Sequence, residues 1–240
     1  MKYNSPFIKM LETIANMLIV SFFWLLFSLP VFTIVPASAA LFHTVNKVIF
    51  GPGRGVGVFK DFFDSYKNNL IPGMKLSLIA IIAGLFIAEG LWTGYQIWRI
   101  SIWGMLYMIL GVLITFVVVT AFIHVPPVLS RFDAPVTSII RMAVYFAIKK
   151  PFRSILFTLL LGLMYLFVES FPLALLIVPA LYTDLIRPYL VKDFDLFIKE
   201  NGLEEIEEED EKTTVIEEIE EESVSDLDER FAKDKQKGKK

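Results

Sequence analysis

Four stretches of this chain lose the alternation of apolar and polar positions that a helix of a water-soluble protein displays. Ile14 to Val35, Leu76 to Glu89, Ile100 to Ile123 and Ile155 to Leu181 are almost unbroken Leu, Ile, Val, Phe and Ala. A soluble helix keeps a polar stripe at helical spacing, and these runs have none. A hydrocarbon core about 30 Å thick is crossed by about 20 such residues in one helix. The pattern therefore predicts an all-α, polytopic helical membrane bundle of about five transmembrane helices.

The first span is expected over Met10 to Leu29. Pro30 ends or kinks it, because proline lacks an N–H and clashes with the preceding turn. Val31 to Pro36 reads as short and bent, and Ala37 to Phe50 as a helix lying at the membrane interface. A secretory signal has an apolar region of about 7–15 residues before a small-residue cleavage site. Ala37-Ser38-Ala39 has that spacing, but the apolar run is longer, so a retained helix is expected.

Gly51 to Gly57 holds four glycines and reads as a turn. It matches neither phosphate-binding glycine pattern, since no Lys-Ser/Thr pair follows the last glycine. Val58 to Asn69 is amphipathic, with Phe59, Phe62, Phe63 and Tyr66 on one face and Lys60, Asp61, Asp64 and Lys67 on the other. Such a helix suits a membrane surface or packs on the bundle.

The second span is expected over Leu70 to Trp92 and the third over Ile100 to Ile123. Trp92, Tyr95, Trp98 and Trp103 between them mark a membrane–water interface. His124-Val125-Pro126-Pro127 is expected to stop the third span. Residues 132–150 give a second amphipathic stretch, with Val136, Ile139, Ile140, Ala143 and Ala147 on one face. Phe152 to Ile186 as one straight helix would be about 52 Å long at 1.5 Å per residue. That overshoots the hydrocarbon core by about 20 Å. A turn at Glu169-Ser170-Phe171-Pro172 resolves the mismatch into two antiparallel spans, near 152–168 and 171–187, with Pro172 in the first turn of the second. A weak internal repeat follows. Residues 58–92 and 136–168 both read as an amphipathic helix, a polar break and a span.

Composition and charge add a division. Hydrophobic residues make up 55% of the 240 positions, above the roughly 45–50% of ordinary globular chains. Residues 1–199 carry sixteen Lys/Arg against nine Asp/Glu, and residues 200–240 carry seven against seventeen. A basic helical membrane domain over 1–199 is thus followed by an acidic tail over 200–240. The tail is too charged to bury a core and is expected to be disordered. The loops 43–69 and 125–153 hold most of the non-terminal Lys and Arg, so the positive-inside rule places both, and the tail, in the cytoplasm. Five spans then put the N-terminus outside. If the first apolar stretch dips in and returns, the N-terminus stays inside, as Lys2 and Lys9 favour.

Candidate chemistry is sparse. Ionisable groups inside a membrane point to function, which singles out Glu89, Glu169, Asp184 and Arg187. Asp184 and Arg187 can pair at i, i+3. Each of the four also suits a hydrated helix end. Pro30 and Pro36 are singled out as the bend after the first span. With no Cys and only His43 and His124, the three or four ligands of a zinc site are not assembled. Serine, histidine and aspartate fall in no order suggesting a hydrolase triad. No cofactor, no metal and no nucleic-acid partner is expected, and the protein is expected not to be an enzyme.

The stretch Trp24-Leu25-Leu26-Phe27-Ser28-Leu29-Pro30-Val31-Phe32-Thr33-Ile34-Val35-Pro36-Ala37-Ser38-Ala39-Ala40-Leu41 resembles the signature of the YesL family of uncharacterised bacterial membrane proteins. Phe62-Phe63-Asp64-Ser65-Tyr66-Lys67-Asn68-Asn69 and Lys149-Lys150-Pro151 resemble it too. The resemblance covers roughly residues 8–195. The family often has Gly and Thr where this chain has Val35 and Ser38. The resemblance implies a multi-pass protein of the bacterial cytoplasmic membrane, from a family whose genes often neighbour sugar-uptake permeases and glycan-degrading enzymes. It implies no catalytic residues. The expected partners are the lipid bilayer and a sugar permease or other membrane protein. The expected role is accessory to carbohydrate uptake, with a small-solute transporter or channel as the alternative.

Overall fold

The computed structural model describes residues 6–50, 57–98 and 100–201. The glycine-rich turn at 51–56 and the acidic tail lie outside the described residues. Helices α1 (Pro6–Ser28), α2 (Ile34–Thr44), α3 (Val58–Asn68), α4 (Leu70–Trp98), α5 (Ile102–Arg131), α6 (Val136–Lys149), α7 (Pro151–Ser170) and α8 (Val178–Glu200) make up nearly all of it, with no strand among the described residues. The all-α membrane bundle expected from the apolar runs is what forms. The chain divides into a compact unit ending at Leu190 and a second beginning at Val191. The described part of the second is the end of α8, where Phe194 and Ile198 are buried.

Among the described residues, five helical segments are long and apolar enough to cross a membrane: Ile8–Ser28, Val31–Ile49, Leu70–Trp98, Ile102–Arg131 and Pro151–Ser170. Their outward faces carry exposed Leu18, Phe22, Phe86, Leu113, Leu159 and Leu163. So much apolar surface is stable only against hydrocarbon or another apolar partner.

The number of spans matches the expectation, but the set differs. Residues 31–49 enter it, while α8, which runs back along α7 from Val178, is not apolar enough over its length to be counted. Pro30 does end α1. The Thr33 N–H donates to the Pro30 carbonyl at 2.8 Å, and its hydroxyl lies 2.6 Å from that carbonyl and 2.7 Å from that of Phe27. These contacts satisfy carbonyls that the broken helix leaves open. Pro36 falls in the first turn of α2, where no intrahelical N–H is needed. The helix then continues as one wide π-type turn over Val45–Ile49. The interfacial placement expected for Ala37 to Phe50 is corrected. Val35, Ala37, Ala39, Ala40, Leu41, Val45, Val48 and Ile49 are all buried inside the bundle. Its small side chains let neighbouring helices approach closely. At Gly73 of α4 an added Cβ would fall 2.7 Å from the Pro36 ring, so α2 and α4 touch almost backbone to backbone.

Helix α3 uses its apolar face as the pattern suggested, with Phe62 buried and Phe59 exposed. It packs on α1: Phe23 meets Phe59 at 5.1 Å between ring centroids, and Phe27 meets Tyr66 at 4.8 Å. Phe62 joins Met17, Val20, Leu41, Val45, Ile49 and Ala180 in one apolar cluster. Lys47 and Asp61 bridge the segment after α2 to α3 at 3.3 Å.

Two further boundaries are corrected. Helix α4 passes Trp92 and ends at Trp98, and α5 starts at Ile102. Trp92, Tyr95 and Trp98 therefore belong to the last turns of α4. The Ser101 hydroxyl caps α5 by accepting from the Trp103 N–H at 3.3 Å. Helix α5 also runs through Pro126 and Pro127 to Arg131. Each proline removes a helical donor, from the carbonyls of Phe122 and Ile123 respectively. Membrane helices tolerate such prolines where neighbouring helices, polar side chains or water can take up the freed carbonyls.

The break after Glu169 forms as expected. Helix α7 ends at Ser170, a tight turn spans Pro172–Leu176, and α8 starts at Val178, later than the expected 171. The Tyr182 hydroxyl donates to the Phe157 carbonyl at 3.3 Å, and the Arg153 guanidinium lies 5.6 Å from the Tyr189 ring. These contacts run in opposite directions along the chain, as in an antiparallel hairpin. The internal repeat is visible in the element order. Asn69 alone separates α3 from α4, and Lys150 alone separates α6 from α7.

Candidate functional site

Within the first unit, α1, α2, α4, α5, α7 and α8 surround a half-open cavity of about 480 Å³. That volume falls in the range of about 300–1,000 Å³ typical of small-molecule sites. Its walls are Leu, Ile, Val, Phe, Ala and Pro, including Pro126, Pro127 and Pro179. Gly84 of α4 is part of the wall, and an added Cβ there meets nothing within 4 Å.

Four lining side chains carry polar atoms: Trp24, Ser38, Tyr182 and Thr183. Each is already engaged by the protein. The Trp24 indole N–H donates to Ser38 Oγ at 3.0 Å, and the Ser38 hydroxyl donates to the Ile34 carbonyl at 2.7 Å. Tyr182 donates to Phe157 as above, and the Thr183 hydroxyl donates to the Pro179 carbonyl at 2.8 Å. Among the described residues, no lining side chain has a hydrogen-bond donor left to offer a ligand. Trp24 and Ser38 both lie in the stretch that carries the YesL resemblance.

Beside the cavity, a buried polar seam joins α5 to α7. Thr120 and Thr158 hydroxyls lie 3.2 Å apart, His124 Nδ1 lies 2.9 Å from the Thr120 carbonyl, and the Thr158 hydroxyl donates to the Ser154 carbonyl at 2.9 Å. Ser154 Oγ is buried without a partner. The Thr120/His124 and Ser154/Thr158 pairs each recur at i, i+4, a spacing that places both members on one helix face. That spacing could have revealed the seam from sequence. The cavity could not be read so, since its residues come from six helices.

The residues singled out by sequence are scattered. Pro30 is exposed at the bend and Pro36 is buried against Gly73. Glu89 is on an exposed face of α4 and does not line the cavity, and Glu169 is exposed in the last turn of α7. Only Asp184 and Arg187 meet, with 3.4 Å between Oδ1 and Nη2. The Arg187 guanidinium also lies 4.7 Å from the Phe50 ring. Its Nε is buried without a hydrogen-bond partner. This pair braces α8 rather than opening into the cavity. Among the described residues, no group of three or more His, Asp and Glu could hold a metal ion.

Fold and cavity together define a polytopic α-helical membrane protein with an apolar internal site. The family profile described as "Protein of unknown function, DUF624" matches residues 17–90. A curated protein, "Uncharacterized protein YesL" of Bacillus subtilis (strain 168), is 28% identical over 131 residues, covering 53% of this chain and 60% of the relative. The chain thus spans less than two thirds of that relative's length. These matches show the resemblance to the YesL family, whose molecular activity they leave unnamed. No solved structure matches the chain significantly.

Proposed function

We propose that this protein is a non-enzymatic accessory protein of the bacterial cytoplasmic membrane, associated with carbohydrate uptake, with its basic loops and acidic tail in the cytoplasm. The association with carbohydrate rests on the YesL resemblance. The accessory role rests on the cavity. A sugar leaving water loses hydrogen bonds at every hydroxyl, each at a cost of about 1–3 kcal/mol on protein scales. A wall whose side-chain donors are all engaged internally cannot replace them, so the cavity is ill suited to sugar transit. The test is purification of the tagged full chain from its own membrane in mild detergent. A sugar permease should co-purify. Its absence, combined with sugar flux in proteoliposomes containing this chain alone, would sink the accessory reading.

The second reading, a small-solute transporter in its own right, is favoured by the repeated order of amphipathic and apolar helices and by the carbonyls freed at Pro126 and Pro127. Repeats and interrupted helices are common features of secondary transporters. The same proteoliposome flux measurement decides between the two.

A further inference from the structure

We infer that the cavity walled by α1, α2, α4, α5, α7 and α8 is a binding site for one acyl chain of a bilayer phospholipid. Three observations lead there. The lining offers no side-chain donor, because Trp24, Ser38, Tyr182 and Thr183 all donate to protein acceptors. This disfavours a ligand segment that must accept hydrogen bonds from the wall and favours a hydrocarbon one. The cavity is half-open, and of its wall residues Ile34 is 41% exposed, Val119 39% and Leu161 40%. These belong to segments whose outer faces are apolar and exposed, so the mouth is continuous with the surface that meets lipid. Finally, a dry apolar cavity of this size leaves its lining atoms without dispersion partners. The bilayer holds hydrocarbon chains beside that mouth at very high local concentration. An acyl chain fills the space with no loss of hydrogen bonds, whereas water would need several polar partners there.

Helix α2 provides the reporter. Ser38 to Phe42 contributes Ser38, Leu41 and Phe42 to the cavity wall but is otherwise packed inside the bundle, so lipid reaches it only through the cavity. The full chain is reconstituted with a phospholipid carrying a diazirine midway along one acyl chain, irradiated, and mapped by peptide mass spectrometry. Adducts are expected on the Ser38–Phe42 peptide as well as on the outer faces of α4 and α5. Gly84→Phe projects a ring into the cavity and should lower the α2 adduct by about tenfold while leaving outer-face labelling unchanged. Leu113→Phe adds a ring on the outer face of α5, at an exposed position outside the cavity wall, and should leave α2 labelling unchanged. Should Gly84→Phe not fold, Gly84→Leu takes its place. An unlabelled α2 in the wild-type protein, or equal α2 labelling in the folded Gly84 variant, overturns the inference. So does α2 labelling by a free diazirine fatty acid but not by the phospholipid, which would assign the site to a soluble amphiphile.

Discussion

Replacing glycines by alanine, one at a time, should change stability in opposite directions at different positions of the same helices. In a helix interior, Gly→Ala gains about 0.5–1 kcal/mol by restricting the unfolded backbone. A methyl forced into occupied space costs about 1–3 kcal/mol. At Gly162 an added Cβ meets nothing within 4 Å, so only the gain remains. At Gly104 it would lie 2.5 Å from the Ile97 carbonyl carbon and oxygen and 2.7 Å from the Trp98 nitrogen. Backbone there cannot yield without opening the turn between α4 and α5. At Gly73 the obstacle is the Pro36 ring, 2.7–2.8 Å away, which is nearly as rigid. At Gly94 the nearest atom is the Met108 sulfur at 2.9 Å, the far part of a flexible side chain that can move aside.

The expected order of thermal midpoints is therefore Gly162→Ala above wild type, Gly94→Ala close to it, and Gly73→Ala and Gly104→Ala below. For the last two the net loss is about 1–2 kcal/mol. At roughly 2–4 °C per kcal/mol for a chain of this size, that is about 2–8 °C. The assay is tryptophan fluorescence against temperature in one detergent at one scan rate, because unfolding of such proteins is often irreversible. A Gly104→Ala variant as stable as Gly162→Ala would refute the close approach of α4 and α5. A Gly73→Ala variant at or above wild type would do the same for the seating of α2 against α4.

Further predictions follow from single contacts and from charge. Ser38→Ala removes the acceptor of the Trp24 indole and should lower the thermal midpoint by the equivalent of about 1–3 kcal/mol, with a shift in tryptophan emission. An unchanged midpoint would mean the indole finds another partner. Cysteines introduced at Lys60 and Arg131 should resist an impermeant thiol reagent in intact cells, since the basic loops are expected in the cytoplasm, whereas one at Ile100 should react. The reverse pattern would invert the topology, and no native cysteine competes. A chain ending at Lys199 should insert and melt as the full chain does, because the Glu-rich residues beyond it offer few apolar groups to offset ordering costs of about 1–2 kcal/mol per residue. A large fall in its midpoint would show that the tail packs.

What the sequence reveals and what it hides divide along a physical line. Apolar runs report that a segment avoids water, and from them the helical class and the break after Glu169 were legible. The amphipathic faces of α3 and α6 were legible for the same reason, since Phe62 and Ile139 recur at helical spacing among charged residues. The runs do not report whether an apolar residue faces lipid or protein. Val31 to Ile49 reads as an apolar run like the outer spans, and only packing shows that most of it is buried inside the bundle. Prolines misled in a related way. Pro30 stops α1, yet Pro126 and Pro127 sit inside α5. The difference is local: Thr33 is placed to receive the chain end at Pro30, while α5 continues as one rod along α4. The candidate carboxylates failed as a site because charge was the only criterion, and exposure at Glu89 and Glu169 is what a helix end or lipid headgroup region would also produce.

The placement of α2 explains why the cavity is where it is. Between membrane helices there is no hydrophobic driving force, so association depends on close packing and hydrogen bonds. Helix α2 supplies both. Its Ala37, Ala39 and Ala40 are small and fully buried. The Val35 N–H, left open at its helix start, is met by Ser77 Oγ at 3.2 Å. On α1, Ser21 Oγ similarly receives the Ala180 N–H at 3.2 Å. Each bond places a hydroxyl from one helix on the open first turn of another, which ties α2 to α4 and α8 to α1 at fixed positions. With α2 held by small residues, the larger helices around it cannot close fully over its Ser38 to Phe42 face, and the space that remains is the cavity. A bulky residue on that face would therefore do two things at once: fill the cavity and loosen the seat at Gly73. Gly84→Phe on the α4 wall, eleven residues from Gly73, fills it without touching that seat, which is why it separates occupancy of the cavity from integrity of the fold.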